Sequence, residues 1–191
     1  MKHRHFILYK PDGYLSQFVN NQTKRKNKKL LGELHDFPEG TMAVGRLDEP
    51  SEGLLLLTTD GKVSEYIRSE KVEKEYYAQV DGLIDKESII KLKSGIEISS
   101  EDGLYMTKPC EVCILKEQPN LPPRNKAIRD ERHGPTSWIS ITLIEGKYRQ
   151  VRKMTAAVGF PTLRLVRVRI GKIELDGLKP AEVSEVTEFN V

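Results

Sequence analysis

One aspartate lies where this sequence would hold a reactive side chain most rigidly. Asp48 belongs to the charged turn 45–53, and the apolar run 54–59 that follows is typical of a fully buried strand. A carboxylate fixed at the edge of a sheet can act as a nucleophile or as a general base. An aspartate close to proline and glycine can equally be a turn residue that hydrogen-bonds its own backbone. Spacing alone leaves both interpretations open.

A basic segment near the end of the sequence is the second candidate. Residues 146–173 contain eight of the 31 basic residues and no acidic one, although the net charge of the protein is only +3. Arg149, Arg152 and Lys153 are spaced i, i+3 and i+4, so they should share one face of a helix predicted at 148–158. That face could bind phosphate groups or could simply be solvated.

A second basic cluster, Lys24–Lys29, lies in a polar stretch that has no apolar periodicity. A solvated loop and a loop that contacts phosphate groups would both have this composition. The sequence therefore leaves the role of this cluster open.

The two cysteines, Cys110 and Cys113, have the C-x-x-C spacing of zinc and redox sites. The segment 109–115 is predicted to be a strand, in which residues three apart point to opposite faces, so the two thiols should diverge. No second pair of ligands accompanies them. We therefore expect two packed thiols and no metal.

The rest of the sequence predicts the elements that must hold these residues. Strands are predicted at 6–9, 54–59, 75–80, 96–99, 104–115, 137–144 and 163–170, with a last hairpin around Asp176-Gly177. Helices are predicted at 62–69, 85–94 and 148–158, the second with Asp85 as N-cap and Gly95 as its stop. The loop at about 117–136 contains four prolines, and a loop of that length is usually functional. The irregular order of strands and helices predicts an α+β protein with a mixed, largely antiparallel sheet.

Composition indicates an ordinary folded protein. The 191 residues are 38% hydrophobic and 31% charged, enough to form one domain over 1–191, or two intimately joined halves. No apolar stretch has the length of a signal peptide or a membrane span, so we expect a cytoplasmic protein with no membrane partner. No apolar surface stripe is evident, and a monomer is expected.

Several motifs surround the candidate aspartate and follow it along the sequence. Asp48 lies in Gly45-Arg46-Leu47-Asp48, which is followed by Ser51 and by Gly53-Leu54-Leu55-Leu56. Lys74-Glu75-Tyr76 and the basic motif 145–154 (EGKYRQVRKM) come next, and Lys10-Pro11 precedes them all. Together these motifs resemble the RsuA-type family of ribosomal RNA pseudouridine synthases, whose first motif Lys10-Pro11 resembles. The likeness extends from about residue 6 to residue 175, with the motifs in the family's order and separation.

This resemblance implies a fold, a reaction and a set of site residues. The fold would be the pseudouridine synthase fold, a mixed sheet flanked by helices and loops. The reaction would be the isomerisation of uridine to pseudouridine in ribosomal RNA, 23S rRNA of the large subunit, without a cofactor or a metal. The catalytic residues implied are Asp48, Tyr76 and Arg152. The RNA-binding residues implied are Arg46, Arg149, Gln150, Lys153, Arg164 and Lys10.

The sequence also departs from the family pattern. It begins too close to the first motif to contain the N-terminal S4-type domain of many relatives, so we expect no such domain. Lys147 and Tyr148 stand where arginine and asparagine are commoner, which weakens any claim to a shared target uridine. Two alternatives stay open: a non-catalytic RNA-binding or ribosome-assembly protein on the same fold, and a synthase that acts on transfer RNA or on small-subunit rRNA.

Overall fold

A mixed β-sheet runs through the residues that the computed structural model describes, which are 2–20, 27–124, 126–128, 131–175 and 177–191. Within these residues the sheet has nine strands, and a separate hairpin has two. The first part of the Lys24–Lys29 cluster lies outside the described residues, as does Asp176 of the predicted last hairpin.

The strands of the main sheet follow the order β11-β1-β3-β9-β4-β8-β7, with β2 paired to β3 and β10 paired to β9. The separate hairpin is β5-β6. The bounds are β1 His5–Lys10, β2 Met42–Ala43, β3 Glu52–Thr58, β4 Lys74–Asp81, β5 Glu97–Ser100, β6 Gly103–Met106, β7 Glu111–Ile114, β8 Thr136–Leu143, β9 Thr162–Ile170, β10 Ile173–Glu174 and β11 Val183–Val186.

Three α-helices and two 3-10 turns lie in the described residues: α1 Gly61–Arg68, α2 Lys86–Ser94, α3 Gln150–Ala157, and the turns Leu31–Glu33 and Glu131–His133. α1 packs on β3, α2 on β7, and α3 on β5 and β9. The Asp85 carboxylate accepts a hydrogen bond from Ser88 N at 2.7 Å, which confirms the predicted N-cap of α2. Within these ranges no helix is both long enough and apolar enough to cross a lipid bilayer.

The apolar run predicted as a buried strand forms β3, whose seven residues are all buried. Leu54 and Leu56 pack into one apolar cluster with Tyr9 and Val166, whereas Leu55 and Leu57 pack into another with Phe6 and Leu8. The alternation arises because successive side chains of a strand point to opposite faces. Apolar clusters therefore pack against both faces of β3, and this fixes the position at which the preceding turn enters the strand.

One strand junction fixes where that turn lies. β3 pairs with β9 in parallel, with Gly53 opposite Arg167, and this is the single parallel pairing among the described strands. Gly53 has a φ of 102°, and a Cβ atom placed on it would lie 2.3 Å from the Arg167 carbonyl oxygen. Only glycine permits this approach. The junction brings the turn before β3 against β9.

Three predicted elements differ from the structure. The predicted strand 104–115 is two strands, β6 and β7, separated by residues 107–110, where Pro109 cannot donate to a ladder. The predicted helix 148–158 begins only at Gln150. The last hairpin is predicted around residues 176–177. The structure has a hairpin earlier, with its turn at Gly171-Lys172, because β10 pairs back onto β9 there.

Candidate active site

The turn that carries Asp48 is held by short hydrogen bonds on both sides. Ser51 N donates to Asp48 O at 2.9 Å, which closes the turn. Ser16 Oγ donates to Leu47 O at 2.8 Å and accepts from Leu47 N at 2.9 Å. These bonds fix the backbone on either side of Asp48, so its carboxylate projects from a rigid frame.

Lys10 supports the same turn from inside the protein. Its side chain is fully buried, and Nζ donates to Ser51 O at 2.7 Å and to Pro11 O at 2.9 Å. Burial lowers the pKa of this ammonium group to about 7. The structure argues against the expected RNA contact of Lys10, because the enclosed ammonium group already has backbone acceptors.

Two guanidinium groups face the Asp48 carboxylate. Arg149 Nη1 lies 3.4 Å and Arg152 Nε 3.6 Å from Asp48 Oδ2. Arg152 also donates from Nη2 to Ser51 Oγ at 3.1 Å and from Nη1 to Thr162 O at 3.2 Å. The 3.6 Å contact is an ion pair and too long for a hydrogen bond, and Nε of Arg152 is buried without a hydrogen-bond partner. Asp48 thus lies in a positive field, with its side chain 21% exposed.

Arg149 reaches Asp48 from outside the helix. It has a left-handed backbone, with φ 54° and ψ 32°, and directly precedes α3. Lys153, on the helix, turns away and donates from Nζ to Ser99 O of β5 at 2.7 Å. The prediction that Arg149, Arg152 and Lys153 share one helix face is therefore wrong, because Arg149 is not helical.

A buried polar network shapes the segment before α3. Gln150 accepts a hydrogen bond from Lys147 N at 2.9 Å and donates to the Glu145 carboxylate. Glu145 also accepts from Tyr105 Oη at 2.6 Å and from Lys108 N at 3.0 Å. Gln150 is 4% exposed, so the structure gives it a role in this turn and argues against the expected RNA contact. Sequence analysis did not identify Glu145, although it begins the basic motif.

Asp48 opens into a cleft of about 930 Å³ and into a small adjoining pocket of about 70 Å³. Tyr76, half-buried on β4, lines both, as does Arg46, whose side chain is exposed. The small pocket has apolar walls from Leu143, Val151 and Leu165. The structure thus brings Asp48, Tyr76, Arg149 and Arg46 together around one space, and Arg152 contacts Asp48 without lining that space.

Arg164 lies away from this space, in a buried ion network. Nε and Nη2 of Arg164 donate to the Glu52 carboxylate at 3.0 and 2.8 Å, and the residue is 7% exposed. Arg124, from the long loop before β8, reaches the same carboxylate at 3.1 Å and Asp12 at 3.3 Å. The structure argues against the expected RNA contact of Arg164, because Glu52 neutralises its charge. Sequence analysis identified the loop as functional but did not identify Arg124.

The cysteine pair does not form a site. Cys110 is half-buried and its thiol donates to Leu92 O at 3.3 Å, whereas Cys113 is exposed. Cys110 precedes β7 and Cys113 lies on it, and the prediction that both thiols are packed is wrong for Cys113. In the described part of the chain, no three His, Cys, Asp or Glu side chains are grouped as metal ligands would be.

Comparisons with known proteins agree with this geometry. Residues 4–157 match the family model described as RNA pseudouridylate synthase. Ribosomal large subunit pseudouridine synthase E of Xanthomonas axonopodis pv. citri is 42% identical over 176 residues, which are 91% of this chain and 89% of that protein. The protein of the same name from Vibrio parahaemolyticus is 39% identical and the match covers 97% of this chain and 75% of the relative.

A solved structure described as a pseudouridylate synthase has the same fold. It superposes with a TM-score of 0.76 at 27% sequence identity, covering 97% of this chain and 70% of that one. The resemblance to ribosomal RNA pseudouridine synthases and the predicted α+β pseudouridine synthase fold are thus confirmed. The chain belongs to the RNA pseudouridylate synthase family.

Proposed function

We propose that this protein isomerises one uridine of large-subunit ribosomal RNA to pseudouridine, with Asp48 as the catalytic carboxylate. The observation that carries the proposal is that Asp48, which two guanidinium groups contact, lines one small pocket together with Tyr76, Leu143, Val151 and Leu165. The names of the relatives that cover most of the chain support the choice of large-subunit rRNA.

The reaction itself defines what the site must supply. The bond between N1 of uracil and C1′ of ribose breaks, the base rotates, and C5 joins C1′. No atom is gained or lost, so side chains can carry out every step. An ionised carboxylate is needed near C1′, either as a nucleophile at that carbon or as the base that removes the C2′ proton.

The two arginines place positive charge beside this carboxylate. Arg152 is fixed by Ser51 and Thr162, so its charge is pre-organised beside Asp48. Its unpaired Nε can shorten the 3.6 Å contact as the substrate closes the cleft, since catalytic hydrogen bonds are often long in free enzymes.

Tyr76 and the apolar walls hold the base. An aromatic ring beside Leu165 and Val151 offers a stacking surface for uracil and excludes water from it. The tyrosine hydroxyl would receive or relay the proton that leaves C5 once the new bond has formed.

A uridine paired within folded RNA must leave its stack to reach this pocket. Such extrusion costs a few kcal/mol, which contacts with the enzyme must offset. Arg46 is exposed at the mouth of the cleft and would fill the space that the base leaves. Arg149 and Lys153 would contact phosphate groups, so binding should weaken with salt.

The test is pseudouridine mapping of total rRNA and tRNA from cells with and without the gene, rescued by the wild type or by Asp48→Asn. We expect one large-subunit pseudouridine to disappear and to return only with the wild type. An unchanged map would favour the RNA-binding or ribosome-assembly alternative. Loss of a site in tRNA or in small-subunit rRNA would keep the chemistry and correct the substrate.

A further inference from the structure

The cleft of Asp48 continues past Tyr76 into a second, cationic part. Lys74 of β4 and Arg167 of β9 line this part, with Arg68 from the end of α1 at its exposed rim. None of these three residues lines the small pocket beside Asp48, whereas Tyr76 lines both spaces. The two spaces therefore adjoin each other and differ in chemistry.

Arg167 has a buried donor with no acceptor. The residue is 4% exposed, and Nε donates to Leu54 O at 2.7 Å. Its Nη2 is buried without a hydrogen-bond partner, and among the described residues no carboxylate lies within ion-pair distance of the guanidinium. A buried charge without a partner is costly, so an acceptor from outside the chain would stabilise it.

The other two arginines of β9 each form an ion pair with a carboxylate, unlike Arg167. Arg164 is paired with Glu52 at 2.8 Å and Arg169 with Glu75 at 2.9 Å. Neighbouring strands thus supply a carboxylate to each of these two residues, Glu52 from β3 and Glu75 from β4, and none, within the described structure, to Arg167. The one left without an acid lines the cleft.

Lys74 adds a second cation that is only partly satisfied. It is 9% exposed, and its Nζ donates to Ser69 O at 3.0 Å. Burial and the neighbouring Arg167 lower the pKa of Lys74 to about 8. Glu70 acts on Lys74 only from a distance, because its own exposed carboxylate is bound to Lys108. Two desolvated cations side by side indicate a place for an anion.

We propose that Lys74 and Arg167, with Arg68 at the rim, form a subsite for one phosphodiester group of the RNA strand next to the flipped uridine. This inference rests on the proposed function, since it takes RNA as the ligand. A phosphate oxygen would accept from the free donors of Lys74 and, once the side chains around the cleft shift to admit it, from Arg167 Nη2, which is shielded from solvent in the free protein. The base is assigned to the other space, because that space has apolar walls and lacks these two cations.

The experiment measures RNA binding and turnover separately for Lys74→Gln, which removes the charge and keeps a polar chain of similar length. The ligand is unmodified large-subunit rRNA, and dissociation constants are measured between about 50 and about 200 mM salt. Each phosphate contact contributes about 0.7 to 0.9 to the slope of log K against log salt concentration. We expect Lys74→Gln to weaken binding, to reduce that slope by this amount, and to lower kcat/KM more than it lowers kcat.

Two further variants secure the interpretation. Lys179→Gln removes an exposed lysine that does not line the cleft, and it should leave affinity and slope unchanged. Arg167→Gln should weaken binding and reduce the slope as Lys74→Gln does. If loss of the bond from Nε to Leu54 O prevents Arg167→Gln from folding, Arg167→Lys, which keeps the charge, should weaken binding and leave the slope close to that of the wild type.

Two results would overturn the subsite. The first is an affinity and a salt slope of Lys74→Gln equal to those of the wild type. The second is a loss of kcat with normal affinity, which would show that Lys74 acts on the base instead. If instead the proposed function is wrong, the wild type will bind RNA with the same salt dependence and form no pseudouridine. The salt slopes of wild type and variant would still measure the phosphate contact.

Discussion

The Asp48 carboxylate is 3.4 Å from Arg149 and 3.6 Å from Arg152, so its replacement by the isosteric amide removes charge and keeps shape. We expect Asp48→Asn to lower kcat on the order of a thousandfold or more, with RNA affinity within a few-fold of wild type. Quantifying pseudouridine in unmodified rRNA, alongside filter binding, measures both quantities. Asp102→Asn, at an exposed turn, is the matched control. Turnover close to wild type in Asp48→Asn would rule out the mechanism.

Arg152 contacts three groups at once, which a lysine could not do. Its guanidinium reaches Asp48, Ser51 Oγ and Thr162 O, whereas an ammonium group is a single point charge. We expect Arg152→Lys to lower kcat about a hundredfold through misplacement of Asp48. Steady-state kinetics on the rRNA substrate measure the loss. Arg4→Lys, in an exposed pair with Glu185, should leave kcat unchanged, and equal kinetics for the two variants would refute a positioning role of Arg152.

The buried ammonium group of Lys10 should make the stability of the protein depend on pH. Its pKa is about 7 in the folded protein and 10.5 in the reference state, so unfolding takes up a proton between these values. The contribution of Lys10 to stability therefore rises with pH across this window, is complete above it, and is lost as pH falls towards 7. The surrounding carboxylates of Asp12, Asp48, Glu49 and Glu52 remain in a Lys10→Met variant.

Urea unfolding of the wild type and of Lys10→Met at several pH values tests this dependence. We expect the free energy of unfolding of the wild type, minus that of the variant, to increase from pH about 7 to pH about 10. A difference that stays constant or falls over that range would show that the Lys10 ammonium group is not desolvated as described.

At the scale of elements, the junction of β3 and β9 depends on Gly53. A Cβ atom there would lie 2.3 Å from Arg167 O, on a backbone with φ 102°. We expect Gly53→Ala to lower the free energy of unfolding by at least about 3 kcal/mol and to lower activity, because the turn of Asp48 moves with the strand. Gly13 has a similar φ of 85° with open space around it, so Gly13→Ala should cost only the backbone strain of about 1 kcal/mol. Equal losses for the two variants, measured by urea unfolding, would contradict this account.

The elements also show what local sequence can predict. Helix α2 was predictable because Asp85 and Gly95 mark its two ends. The break between β6 and β7 was signalled by Pro109, which the prediction of one long strand disregarded. The late start of α3 was not predictable, since it follows from the contact of Gln150 with the distant network of Glu145 and Tyr105.

At the scale of the whole molecule, Glu52 joins three parts of the chain. Its carboxylate, on β3, binds Arg164 of β9 and Arg124 of the loop before β8. Removing one partner of a buried ion pair leaves the others uncompensated, so we expect Glu52→Gln to lower the free energy of unfolding by about 3 kcal/mol. Urea unfolding measures the change. Glu185→Gln breaks the exposed pair with Arg4 and should leave stability nearly unchanged, and an equal effect of the two variants would disprove the importance of the buried network.

The sequence was sufficient for the fold class and for the residues nearest the chemistry. Apolar patterning predicted the α+β class, and the motifs led to Asp48, Tyr76 and Arg152, which the structure places together. The interior roles of Lys10 and Arg164 were not predictable, because a basic residue looks the same in a sequence whether it faces solvent or a buried carboxylate. The parallel pairing of β3 with β9 was not predicted for a related reason: it depends on contacts between residues far apart in the sequence, such as Gly53 and Arg167.

The place of β1 in the sheet has a consequence for biosynthesis. β1 lies between β3 and β11, and Arg4 pairs with Glu185, 181 residues further along the chain. A ribosome that makes this protein therefore releases the first strand long before its outer neighbour exists. One edge of that strand stays unpaired until β11 has been made, and distant pairings of this kind slow folding. The nascent chain is for that interval open to pairing with a strand of another chain.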